Sequence, residues 1–188
     1  MKKLAPLLVS CIAVTSVASK AVASADKPLG LSLGGGLVLG GTVDTPDLGY
    51  KALDHSGGFM IRGAWDVETA EKMSMGVYAS RFDMSFSDAD VTATTLELGV
   101  ALKGLFRTEK FAFRPGLSLG YRTISFGNDA IKHMTGMGLN LSGEIAYQTS
   151  GNLSPLAELG FLTQPTGGNS DTAATYGPTF YFLRGVRL

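Results

Sequence analysis

Cysteine is nearly missing from the 188-residue chain, which holds one, Cys11. Disulfide scaffolding and thiol redox chemistry are therefore excluded from everything beyond the first residues. There is no surplus of basic charge either, since 16 Lys and Arg stand against 16 Asp and Glu. A chain without a basic patch lacks the electrostatic footprint of a nucleic-acid binder. Histidine is scarce, with His55 and His133 alone, which argues against a transition-metal centre. Past residue 25 no apolar run comes near the ~20 residues that a membrane-spanning helix needs.

The first 25 residues read as a secretory leader. Lys2 and Lys3 open it, Leu4 to Val17 is apolar and small, and Ala21-Val22-Ala23 and Ala23-Ser24-Ala25 are small-x-small cleavage signals. Cleavage after Ala25 is expected, leaving residues 26–188 as one domain that begins Asp26-Lys27-Pro28. Leu8-Val9-Ser10-Cys11 also fits a lipoprotein box that would acylate Cys11, although the apolar stretch before it is very short and apolar residues continue after it. Loss of Lys2, Lys3 and Lys20 leaves 13 basic residues against 16 acidic, a net charge of −3.

What is present is period two. Leu29, Leu31, Leu33, Leu37 and Leu39 alternate with Gly30, Ser32, Gly34, Gly36 and Gly40. Phe111, Phe113, Pro115, Leu117, Leu119 and Tyr121 alternate with Ala112, Arg114, Gly116, Ser118, Gly120 and Arg122. A strand puts each set on one face without effort, and a helix puts neither there. The same alternation marks strands near 58–66, 72–82, 91–103, 137–148, 155–163 and 176–188, with Tyr78 and Leu156 as misfits on the polar face. Connections near 67–71, 104–110 and 149–154 are short, whereas those near 42–57, 83–90, 125–136 and 164–175 are mostly longer and more polar. Gly127-Asn128-Asp129 and Gly167-Gly168-Asn169 are turn-forming. This predicts an all-β fold, a closed antiparallel eight-stranded up-and-down transmembrane β-barrel with short turns at one end and long loops at the other.

Periodicity leaves the direction of the apolar face open, inward for a soluble ligand carrier or outward for a membrane barrel. The other face is mostly Gly, Ser, Ala and Thr with a few charges, which suits the crowded interior of an eight-stranded barrel better than a water-facing surface. Aromatics of the apolar face cluster near strand ends at Trp65, Phe111, Phe113, Tyr121, Tyr147 and Tyr176, as interfacial girdles do. The last strand runs to the final residue, with Phe180, Phe182, Val186 and Leu188 alternating.

On these features residues 26–188 resemble the small OmpA/OmpX-like outer-membrane barrels. The resemblance implies an outer-membrane location, contact with outer-membrane lipid and lipopolysaccharide, a monomer, and insertion by the barrel-assembly machinery through the terminal strand. Two residues depart from the family's terminal signal: Leu188 stands where Phe is usual, and Arg184 where an apolar residue is expected.

Arg62, Glu97, Arg114, Glu144 and Glu158 fall on the interior face, three to six residues from the short-turn end, with Arg122 higher and Lys103 or Arg187 near the mouth. Charges in so narrow a space require pairing, and guanidinium forks can bridge carboxylates bidentately. The expectation is a charged network that plugs the lumen. It would act as a fold-stabilising cluster; a narrow ion path or carboxylate catalysis are the alternatives. Catalytic candidates are otherwise poor. Asp54-His55-Ser56 are consecutive and cannot take up relay geometry. His133 and Thr135 echo a lipid A-modifying barrel enzyme only faintly. Asp44, Asp47, Asp54, Asp83, Asp88 and Asp90 make the loops acidic, without the ligand spacing of a calcium loop. Neither cofactor nor metal is expected. The leading reading is a structural or surface-interaction protein of the outer membrane, against a narrow channel, a lipid A-modifying enzyme or a soluble barrel.

Overall fold

The computed structural model describes residues 28–45, 50–86, 91–127, 132–150, 152–169 and 173–188. The leader, Cys11, Asp47, Asp88, Asp90 and the Asn128-Asp129 turn lie outside the described residues. Among the described residues eleven strands form: β1 (Pro28–Val38), β2 (Gly41–Thr45), β3 (Tyr50–His55), β4 (Gly58–Ala70), β5 (Met73–Phe86), β6 (Val91–Gly104), β7 (Phe106–Arg107), β8 (Phe111–Phe126), β9 (Met134–Tyr147), β10 (Ser154–Gly168) and β11 (Thr175–Arg187). Eight long ones, β1, β4, β5, β6, β8, β9, β10 and β11, pair antiparallel in that order. The ring closes where β1 meets β11, from Ser32 opposite Arg187 to Val38 opposite Tyr181. Closure leaves no free sheet edge along the wall.

Alternation sets what each face carries. Leu33, Leu37, Ile61, Leu98, Leu119 and Leu159 point outward and are exposed, Leu98 at 65 %. The outer surface is thus an apolar belt, and the soluble-carrier direction is overturned. Tyr78 and Leu156, misfits in the sequence, obey the alternation and face the lumen. Tyr176 does not stand in the outer aromatic set: it is buried inside. Between Tyr176 opposite Gln164 and Thr179 opposite Leu162, β11 carries one residue more than β10. That bulge at Gly177-Pro178 reverses the phase of the strand, and a proline fits there because a bulge leaves a ladder position unpaired.

The strands reach further than their apolar stretches. β5 continues through Asp83 and Ser85 to Phe86, β8 to Phe126 and β10 to Gly168. The segment expected as the first long loop is instead a hairpin of β2 and β3, which prolongs β1 and β4. β2 stays on β11 through Val43 opposite Tyr176, and Ser56 bridges to Ser85. Ladder hydrogen bonds need only backbone partners, so pairing continues where the outer face turns polar. At the other end β4 and β5 are joined by only Glu71 and Lys72. At the closure, Gly30 has φ +87° and a side chain there would collide with the Leu188 carbonyl, so this position requires glycine.

Candidate functional site

Among the described residues, side chains fill the interior of the ring in layers. Nearest the short turns, Asp66, Lys103, Arg114, Glu144 and Arg187 meet. Lys103 Nζ donates to Asp66 Oδ2 at 3.0 Å and stands 3.5 Å from Glu144 Oε2. Arg187 Nη2 donates to Asp66 Oδ2 at 3.0 Å and to Glu144 Oε1 and Oε2 at 3.1 Å. Arg114 Nη1 lies 3.4 Å from Asp66 Oδ2, and its Nη2 donates to Glu144, its cross-strand partner.

A second cluster sits above. Arg62 Nη1 donates to Glu158 Oε1 at 2.8 Å and to the Tyr181 hydroxyl at 3.0 Å, and that hydroxyl donates to Glu158 Oε1 at 2.6 Å. Arg122 Nε donates to Glu97 Oε2 at 2.7 Å, and its Nη2 donates to Asn140 Oδ1 at 2.7 Å. Asn140 Nδ2 donates to Glu97 Oε1 at 2.8 Å. Tyr78 joins the halves: its hydroxyl donates to Glu97, and the Arg62 guanidinium stacks 4.3 Å from its ring centroid. Gly120 and Gly138 make the room, since a Cβ at Gly120 would collide with the Glu97 carboxylate and one at Gly138 with the Arg122 guanidinium.

The top layer is apolar. Val38, Val43, Met60, Phe82, Met84, Phe86, Ala93, Ile124, Met134, Leu162 and Tyr176 pack as one buried cluster. His55, at the end of β3 and above the outer belt, caps it. Its ring lies 5.9 Å from Phe86 and 6.5 Å from Tyr176, with Nε2 3.3 Å from the Thr179 hydroxyl and Nδ1 3.4 Å from the Ser56 carbonyl. Burial pushes this imidazole below its ordinary range, against the lesser pull of the Ser56 carbonyl and Asp54.

All six interior charges singled out in the sequence are buried. The structure divides them: Arg114 and Glu144 lie in the lower cluster, while Arg62, Glu97, Glu158 and Arg122 lie in the upper, where Arg122 is the direct partner of Glu97. Sequence reasoning missed Asp66, Tyr78, Tyr181 and Asn140. Asp66 closes an alternation with Arg62 and Ala64 at the end of the strand expected near 58–66, a signal that was available and not used.

The other candidates stay apart. Asp54 and Ser56 are exposed while His55 is buried, and the Ser56 hydroxyl is turned to the Ser85 carbonyl. His133 is exposed in the connection before β9. Asp83 accepts from Thr94 at 2.8 Å and lies 3.7 Å from Arg81. Among the described residues no three His, Cys, Asp or Glu side chains gather as a metal site would require.

No protein-family model matches the chain, and no curated protein matches it in sequence. Solved structures do match its shape. Neisserial surface protein A (NspA) superposes with a TM-score of 0.63 at 15% identity, over 87% of this chain and 99% of that one. The outer-membrane protein OprG of Pseudomonas aeruginosa superposes with a TM-score of 0.55 at 13% identity, over 85% of this chain and 96% of that one. An eight-stranded closed ring, an apolar exterior and these two likenesses lead to one conclusion: the chain has the fold of the small OmpA/OmpX-like outer-membrane β-barrels.

Proposed function

We propose that the protein is an outer-membrane barrel with a structural or surface-interaction role, its lumen sealed along its length. The observation that carries this reading is the filling of the interior by the two charged clusters and the apolar layer. Arg114, Arg122, Glu144, Phe82 and Ile124 are each 1% exposed. A pore wide enough for solutes needs more strands than eight or a lining that leaves water between the side chains. The outer apolar belt suits lipid, with lipopolysaccharide around the long-connection end and the β2–β3 hairpin held toward the cell exterior. In this reading the leader is cleaved, the protein is a monomer, and the terminal strand, despite Arg184 and Leu188, is what the assembly machinery engages. The protein is not an enzyme in this reading: among the described residues every interior carboxylate is engaged by a cation, and Asp54 and Ser56 are exposed while His55 is buried.

Two measurements test it. Protein from purified outer membranes, run unboiled and boiled in SDS, is expected to change mobility as closed barrels do; recovery in the soluble fraction without a shift would remove the membrane reading. In planar bilayers the purified barrel is expected to give no steady conductance. A stable open channel would replace the sealed barrel with the narrow-pore alternative.

A further inference from the structure

The interior charges do not balance. Among the described residues, five buried cations (Arg62, Lys103, Arg114, Arg122 and Arg187) face four buried carboxylates (Asp66, Glu97, Glu144 and Glu158). The upper cluster is neutral, with Arg62 and Arg122 against Glu97 and Glu158. The surplus lies in the lower cluster, where Lys103, Arg114 and Arg187 share Asp66 and Glu144. Three cations converge on a single oxygen, Asp66 Oδ2. At the rim, Glu68 is already taken by Arg107 at 3.1 Å and cannot lend its charge inward.

The same cluster holds donors that the protein does not use. Arg187 Nε and Nη1 and Arg114 Nε are buried without a hydrogen-bond partner. So is the hydroxyl of Ser74, the cross-strand neighbour of Lys103. Water would satisfy the donors but not the surplus charge, and an uncompensated buried charge is far more costly than an unpaired hydroxyl. An anion satisfies both.

We infer that the short-turn end of the lumen binds one small inorganic anion of the chloride class, held by Arg187, Arg114, Lys103 and Ser74. Enclosure favours a bare halide over a lipid headgroup phosphate, because the Arg187 side chain is only 9% exposed and Ser74 is fully enclosed. The site stands on the surplus charge and the unpaired buried donors and does not depend on the surface role proposed above.

The test is thermal unfolding of the full barrel in detergent, with chloride replacing gluconate at constant ionic strength. The unfolding temperature of the wild type is expected to rise with chloride and saturate. Arg187→Gln removes the surplus cation and keeps a hydrogen-bonding side chain, so its unfolding temperature should not depend on chloride. Equal wild-type behaviour in the two salts, or an undiminished dependence in R187Q, overturns the site. If R187Q does not fold, Ser74→Ala decides: loss of one neutral donor should raise the half-saturating chloride concentration about threefold to tenfold, and an unchanged half-saturation overturns the site.

Discussion

The two halves of the lumen solve the same packing problem with opposite chemistry. Near the short turns, inward positions carry Asp66, Lys103, Arg114, Glu144 and Arg187; near the long connections they carry Met60, Phe82, Met84, Ile124 and Met134. Both sets are equally withdrawn from water and hang from the same eight strands. The difference lies in how each responds to change. The charged half depends on partners, because each ion there is tolerable only while its counter-ion stays. The apolar half depends on volume, because its energy scales with area removed from water and with the absence of voids.

The sharpest break is Glu97→Ala. It strands the Arg122 charge, leaves the Tyr78 hydroxyl without its acceptor and takes one of two acceptors from the Asn140 amide. Breaking a buried pair from one side costs about 3–5 kcal/mol, read as the urea midpoint of the barrel refolded in detergent. Replacing both partners, Glu97→Met with Arg122→Met, should recover most of that loss, because it removes both charges together. A double variant as unstable as the single would mean that partnership is not what the charged half depends on. In the apolar half, Met84→Ala should cost about 2–5 kcal/mol through the cavity it leaves. No second substitution of a neighbour to alanine should rescue it. Rescue there, or none for Glu97 and Arg122, would dissolve the contrast between charged and apolar packing.

Much of this arrangement could be read from the chain before folding was considered. Period two put Arg62, Glu97, Arg114, Arg122, Glu144 and Glu158 on one face, because a strand turns alternate side chains the same way whatever their chemistry. It put Tyr78 there as well, where hydropathy alone made the residue look misplaced; its ring under Arg62 and its hydroxyl on Glu97 tie the two together. Register was not legible. Which carboxylate meets which cation depends on stagger between strands far apart in sequence, as with Asp66 and Arg187. Bulges escaped for a similar reason: the extra residue at Gly177-Pro178 turns Tyr176 inward with no change in composition. The strand ends at the long connections escaped because backbone pairing continues through Asp83 and Ser85 after the hydrophobic signal has stopped.

The smallest expected effect lies at the seam between the apolar half and solvent, where His55 caps the cluster. Its neighbours are Phe86, Tyr176 and Thr179, with Asp54 adjacent in sequence. Burial holds the folded imidazole below its ordinary value of 6.5. As pH falls through 6.5 the unfolded chain takes up this proton before the folded one does. The contribution of a neutral His55 is therefore fully present above that pH and is lost progressively as pH falls toward the folded value. His55→Gln keeps a polar side chain of similar size and cannot titrate. The stability of the wild type relative to H55Q, followed from pH 7.5 to 5 (about one unit above to well below an ordinary imidazole), should decline as the pH is lowered. Carboxylate titrations are common to both proteins and cancel in the difference. A flat difference would mean that the imidazole is solvated in the folded barrel, and that the apolar half opens at its outer end instead of closing beneath the β2–β3 hairpin.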